Sequence, residues 1–292
     1  MQPALLDLEG FSLPEIAEVA SEQSWLSRWL ENPDLFTQTS QHRLALLTTL
    51  TEQLWRGFLP EAKFLPLDLM TDFHASYQRT YIERDVRLLS DISDLQQFSR
   101  FVRLSAALAG QEVNYSQIGR DIGITPQTAK RWLNVLIQAF EWFEVPAYSN
   151  NVIKKVSDKP KGYFADTGQI CYSQMISSHQ ALPSHPLWGH VFENAVVSEI
   201  RKLAMLMPTP PRLYHWRVYS GAECDLILER DGKFFPIEIK AKTQITRNDA
   251  RGFKSFRENY PTLNVQKGLI IAPVDKMSAI TEDDYVMPWD LQ

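Results

Sequence analysis

The 292 residues, 44% apolar and 11% aromatic, suffice for a sizeable core spread over about two domains of roughly 150 residues, which excludes a disordered chain and a small disulfide scaffold. A formal charge of −5 excludes a protein that coats nucleic acid by bulk positive charge and leaves room only for a local basic face. Cys171 and Cys224, with no C-x-x-C pair, argue for a reducing compartment and against a zinc site; the lack of a long apolar run or a signal-like N-terminus predicts a cytoplasmic protein without membrane contact.

Charge is segmented along the chain. Residues 1–95 carry 7 Lys+Arg against 15 Asp+Glu, residues 96–162 carry 9 against 5, and the rest is close to neutral. Three modules are therefore expected, at 1–95, 96–170 and 171–292. The first is helical in pattern, with apolar stretches at Leu44, Leu46, Leu47, Leu50 and Leu54 and at Tyr77, Tyr81 and Val86. Ala4 to Leu8 reads as a short strand ahead of a helix starting near Leu13-Pro14-Glu15. Such a strand needs a neighbouring sheet that this region does not supply.

From Leu95 to Tyr148 a helix over 97–109 ends at Gly110, and Ser116 opens a second one that turns at Gly123-Ile124. Thr125 suits an N-cap and Pro126 a first helical position, so a third helix runs to about Ala139. Ala129, Trp132, Leu133, Leu136 and Phe140 share one face of it, leaving Gln127, Thr128, Lys130, Arg131 and Asn134 on the other. This is a helix-turn-helix pattern. Trp142 to Val145 and Gly162 to Ala165 are expected as the strands of a wing, with Lys154, Lys155, Lys159 and Lys161 between them. The polar helix face and the wing lysines Lys154 and Lys155 are the candidate nucleic-acid contacts, with a solvated helix face or a protein-contact module as the alternative.

After the helix-breaking run Met207 to Pro211, Asp231-Gly232 predicts a two-residue hairpin turn. That turn sets Arg230 opposite Lys233, and hence Asp225 opposite Glu238 and Glu223 opposite Lys240. Alternation sends Cys224, Leu226, Leu228, Phe235, Ile237 and Ile239 to an apolar face and the charged set to the other. Carboxylates facing each other across two strands repel unless a cation sits between them, which points to Mg²⁺ or Mn²⁺ held by Asp225 and Glu238. Lys240 is placed to orient or deprotonate an attacking water. On the preceding helix, Leu187 to about Met205, Glu193 leans to the buried flank and is a candidate third ligand; Glu199 lies near the same boundary. The competing reading is an exposed strand face with ordinary ion pairs.

With these residues in place, Glu193, Asp225 and Glu238-Ile239-Lys240 resemble the PD-(D/E)XK nuclease superfamily, which implies a mixed sheet with flanking helices and Mg²⁺-dependent phosphodiester hydrolysis by these side chains. From about residue 72 onward the chain also looks like the C-terminal part of AAA+ type ATPases that carry domain of unknown function 4143. The stretches that carry this likeness are Tyr81 to Val86, Tyr163 to Gly168, Gly189 to Asn194, Gly221 to Asp225 and Pro236 to Lys240. Residues 1–70 resemble the tail of the ATPase module, with Arg56 to Pro60 where the family carries a double glycine. The resemblance thus implies an α+β protein: a helical segment, a winged helix-turn-helix, and a PD-(D/E)XK-like domain acting on nucleic acid, DNA foremost. Its alternative is a catalytically inactive DNA-binding or docking module.

No G-x-x-x-x-G-K-[ST] loop is present, so no ATP site is expected; the chain reads as a C-terminal piece or as a gene without its front half, with an AAA+ module as partner and self-association through an exposed apolar patch. Asp166-Thr167-Gly168 occurs once, and an aspartic protease needs two such acids, so a turn is expected there. His179, His185 and His190 lack helical ligand spacing and read as surface or capping residues.

Overall fold

A computed structural model describes residues 9–19, 23–82, 94–149, 159–218 and 221–292. The Ala4 to Leu8 strand, Val86, Lys154 and Lys155 lie outside the described residues.

Among the described residues the chain opens with the α-helices α1 (Leu13–Ile16), α2 (Trp25–Glu31), α3 (Pro33–Gln38), α4 (Leu50–Arg56) and α5 (Met70–Tyr77). α1 begins where the sequence places it. Ser12 and Glu15 bond reciprocally in a capping box and Pro14 sits in the first turn. The apolar stretch from Leu44 to Leu54 is helical only from Leu50, because the Thr49 side chain accepts the Glu52 N–H and fixes the start there. Upstream of it the chain is extended: Leu44 N–H donates to the Asp290 carbonyl at 2.8 Å, and Leu47 is fully exposed.

The middle of the chain holds α6 (Leu95–Ala107), β1 (Gln111–Glu112), α7 (Tyr115–Ile122), α8 (Pro126–Gln138), β2 (Trp142–Val145) and β3 (Lys161–Phe164). Gly123, at φ +79°, ends α7 in the left-handed conformation, and Thr125 caps α8 one residue after Ile124. Ala129, Trp132, Leu133 and Leu136 are buried as expected, Trp132 packing edge-on against Phe98 and Phe101 of α6. Phe140 departs from that face. It lies past the helix end at φ +60° and is 53% exposed. β2 and β3 pair antiparallel from Trp142 opposite Phe164 to Val145 opposite Lys161, and β1 covers the other edge of β3. A side chain at Gly162 would collide with the Trp142 ring, so only glycine lets these strands meet.

After α9 (Thr167–Ser173) and the long α10 (Trp188–Met205) comes a seven-stranded mixed sheet. Its strands are β4 (Arg212–Arg217), β5 (Glu223–Arg230), β6 (Lys233–Ile239), β7 (Asn264–Val265), β8 (Gly268–Ala272), β9 (Ser278–Ala279) and β10 (Asp284–Pro288). The path runs β4-β5-β6-β8-β10-β9, with β7 beside β6. β4 to β6 are antiparallel, β6, β8 and β10 parallel. α10 covers one face of the sheet and α11 (Arg251–Asn259) the other.

The hairpin forms in the predicted register from Arg230 opposite Lys233 to Leu226 opposite Ile237, with Asp231 and Gly232 both at positive φ. The expectation of one apolar and one polar face is corrected. Ile227 and Phe234, on the side expected to be polar, are buried under Phe253 and Phe256 of α11. The opening helices also join this domain: Trp29 meets Phe235 edge-on at 5.3 Å, and one core cluster runs from Leu13 to Leu291.

Candidate acid site

The site is built where β3, α10 and the open end of the β5–β6 hairpin meet. β3 lies along α10 through a ladder of side-chain bonds. Asn194 accepts the Phe164 N–H at 2.9 Å and donates to the Phe164 carbonyl at 2.8 Å, and Ser198 donates to the Ala165 carbonyl at 3.0 Å. One position earlier on the helix, Glu193 receives the Tyr163 hydroxyl at 2.9 Å and the Lys161 ammonium at 3.0 Å. Lys161 and Tyr163 are two apart on a strand and so share a face. The same ammonium lies 3.3 Å from Asp225.

Asp225 reaches that position because β5 carries an extra residue. Tyr214 pairs with Ile227 but Trp216 pairs with Cys224, so β5 advances three residues where β4 advances two. Cys224 consequently joins Ile227 in the cluster under α11, while Leu226 and Leu228 face α10. Cys224 was expected on the Leu226 face, and the bulge is what moves it. Asp225 turns with it toward α10, and its second oxygen accepts the Ile239 N–H at 2.8 Å, beyond the last regular pair of the ladder. Glu238, between Ile237 and Ile239 of the α10-side cluster, stays on the other side of β6, where Lys240 donates to it.

Glu193, Asp225, Glu238 and Lys240 enter two ion-paired groups, Lys161 with Glu193 and Asp225 and Lys240 with Glu238, and the Asp225 charge acts on Glu238 and Lys240 as well. Glu223 lies 3.9 Å from Arg217, and its charge also acts on Lys161, Glu238 and Lys240. Glu199 belongs to another contact: it accepts the Leu13 N–H at 2.9 Å and pairs with Lys202. Among the described residues no three of His, Cys, Asp or Glu stand close enough to hold one metal ion together. The donors are of the right kind for a hard divalent cation, but in this arrangement they do not fit one. The cations that relieve the acid repulsion are the two ammonium groups.

One lysine between two carboxylates leaves one negative charge uncompensated, and the electrostatics follow from that. Burial, then the Asp225 charge, push the Glu193 carboxyl up to about 7 against the pull of Lys161 and Tyr163. Burial works against the Lys161 ammonium, yet Asp225 and Glu193 hold its pKa above the ordinary lysine value. Burial and Asp225 raise Glu238 well above the usual carboxylate range, with Lys240 opposing. Lys240, against the cost of its burial, is held above the ordinary lysine value by Glu238 and Asp225. Glu238 is 4% exposed and its Oε2 has no hydrogen-bond partner among the described residues.

Sequence reasoning placed Lys161 on a wing and His190 at the surface, and both line this site. His190 precedes Glu193 by three residues on α10 and faces Gly110; burial and the Lys161 charge lower its pKa. The i, i+3 spacing on α10 and the Lys-x-Tyr alternation on β3 were the available signals. Gln127, Lys130, Arg131 and Asn134 are exposed on α8 and Thr128 is half-buried, as their helical spacing requires. Asp166 caps α9 by accepting the Gln169 N–H and also accepts the Phe58 N–H, an architectural role for the Asp-Thr-Gly tripeptide.

Residues 188–291 match the model of a domain of unknown function, DUF4143, and residues 47–180 match that of another, DUF8612. The chain is similar to uncharacterized proteins of Mycobacterium bovis and Mycobacterium tuberculosis, each 24% identical over 286 residues that cover 98% of this chain and 56% of the relative. It thus spans about half the length of the curated relatives it matches. No solved structure matches it. Among the described residues no helix is long and apolar enough to cross a membrane.

Proposed function

We propose that this protein acts on nucleic acid, with the α7–α8 pair as a winged helix-turn-helix that meets DNA and the C-terminal sheet as a PD-(D/E)XK-like domain directed at phosphodiesters. The observation that carries this reading is Glu238. A buried carboxyl with an unpartnered oxygen costs stability, and such groups persist where function requires them. On α8, Lys130 and Arg131 supply phosphate contacts, while Gln127, Thr128 and Asn134 are of the types that read base edges. In the C-terminal domain burial and the Asp225 charge raise the Glu238 carboxyl, and Lys240, held above the ordinary lysine value, places positive charge for a phosphate oxygen rather than acting as a base. The oxygen donors are of the kind that Mg²⁺ or Mn²⁺ takes, although no three of them are gathered among the described residues, and an AAA+ ATPase module is the proposed partner. Exposed Leu47, Phe64 and Leu69 in the N-terminal part provide apolar surface for such a partner or for a second copy.

The pairing of the Lys161 ammonium with both Glu193 and Asp225 favours a second reading, a catalytically inactive binding or docking module. Incubating the chain with single-stranded, duplex and branched DNA and RNA in Mg²⁺ or Mn²⁺ decides between them. Cleavage lost in Asp225→Asn and Glu238→Gln supports the hydrolytic reading. Binding without cleavage, lost on charge reversal of Lys130 and Arg131, supports the second.

A further inference from the structure

We propose that the cleft between α4, α5 and α9 is a binding site for a neutral, flat ligand of two fused rings. The inference goes beyond the nucleic-acid reading and does not rest on it, since no residue of the acid site or of α8 lines this cleft.

The cleft has a volume of about 270 Å³. Its inner wall is built by Trp55 of α4, His74 of α5, Cys171 of α9 and Ile176 just beyond that helix, each at most 7% exposed. The polar atoms of the two rings are taken up by the protein. Trp55 Nε1–H donates to the Ile176 carbonyl at 2.7 Å, and the His74 ring nitrogens bond the Arg56 carbonyl and the Gln169 amide, each at 3.0 Å. Ring carbon is what remains for a ligand. Among the described residues no Lys, Arg, Asp or Glu lines the cleft, and burial holds the His74 pKa below its ordinary value, so an ion entering there would find no counter-charge. A neutral ligand loses nothing by comparison.

Size and lining narrow the class further. An apolar cavity of about 150 Å³ takes one benzene ring, so a space nearly twice as large takes two fused rings. Tyr172, Cys171 and Met175 add an aromatic ring and two polarisable sulfurs, which pack on flat aromatic edges and faces. Thr71, Met175 and Ser177 are the exposed lining residues and mark the mouth, where the two hydroxyls can bond a single polar atom at the ligand edge. Met175 stands there 79% exposed at φ +54°, a position after a helix end that usually goes to glycine. An adaptable apolar side chain is thus kept at the entrance despite both costs.

The test is calorimetric titration of quinoline, and separately of N-methylquinolinium, into the full chain, with NMR of labelled Met and Ile methyl groups to locate the ligand. The expected result is saturable one-to-one binding of quinoline with ring-current shifts at the Met175 and Ile176 methyls, and affinity at least about tenfold lower for the permanently charged N-methylquinolinium. Thr71→Trp and Ser177→Trp fill the mouth from its two sides at exposed positions and should each weaken quinoline binding at least about tenfold. Circular dichroism checks their folding, and either variant suffices should the other fail to fold. No saturable quinoline binding to the wild type at millimolar ligand overturns the site. Binding that leaves the Met175 and Ile176 signals in place, or that the folded variants do not weaken, lies elsewhere and overturns it too. Equal or tighter binding of N-methylquinolinium overturns the neutral ligand class.

Discussion

The polar face of α8 and the acid site carry charge in opposite ways. Lys130, Arg131 and Asn134 stand in solvent over a buried apolar underside, so their side chains cost nothing to fold and are free to meet a partner. Glu193, Asp225 and Glu238 are out of solvent, and each is held by a lysine supplied from the same chain. Removing a partner from the second region leaves an uncompensated buried charge, whereas removing a residue from the first leaves only water. Stability measurements should therefore separate the two regions before any activity is known.

The largest effect is expected from Lys161→Ala, which leaves two neighbouring carboxylates without a counter-ion and should lower urea-unfolding stability by about 3–5 kcal/mol. A loss below about 1 kcal/mol would mean that the acids rearrange freely and that the contrast drawn above is wrong.

pH sharpens the same comparison. The Glu193 carboxyl titrates near 7 in the folded chain against 4.5 for its ordinary value, so between those values the native state holds a proton that the unfolded chain has lost. Stability from this group is full below the unfolded pKa, declines as pH rises toward 7, and is flat above. The span is at most about 3 kcal/mol. Glu193→Gln should remove that slope, and an unchanged slope would assign it elsewhere.

Asn194→Ala should cost about 2–3 kcal/mol by orphaning the Phe164 N–H and carbonyl at the β3–α10 contact, read by thermal or chemical unfolding. The smallest stability effect belongs to Lys130→Glu with Arg131→Glu, within about 0.5 kcal/mol. In a fluorescence anisotropy titration the same pair should weaken duplex DNA binding at least about tenfold and flatten its salt dependence. Unaltered affinity would remove α8 from the nucleic-acid reading.

Local rules in the sequence determined much of this chain. The Thr125-Pro126 start of α8, the Asp231-Gly232 turn and its register, and the span of α10 all follow from capping, turn chemistry and periodicity, which act over a few residues. Glu193, Asp225, Glu238 and Lys240 were legible as a charged set for the same reason. Their grouping was not. One extra residue in β5, visible only once β4 pairs with it, turned Asp225 toward α10 and left Glu238 on the other side of the sheet. Lys161 lies 32 residues from Glu193 and 64 from Asp225, and no short-range pattern reports such a contact. The burial of both sheet faces likewise depended on where α11 packs, a long-range outcome that strand alternation does not encode. Residue types set which chemistry is available here, and the packing of β3 on α10 decided which cation the acids hold.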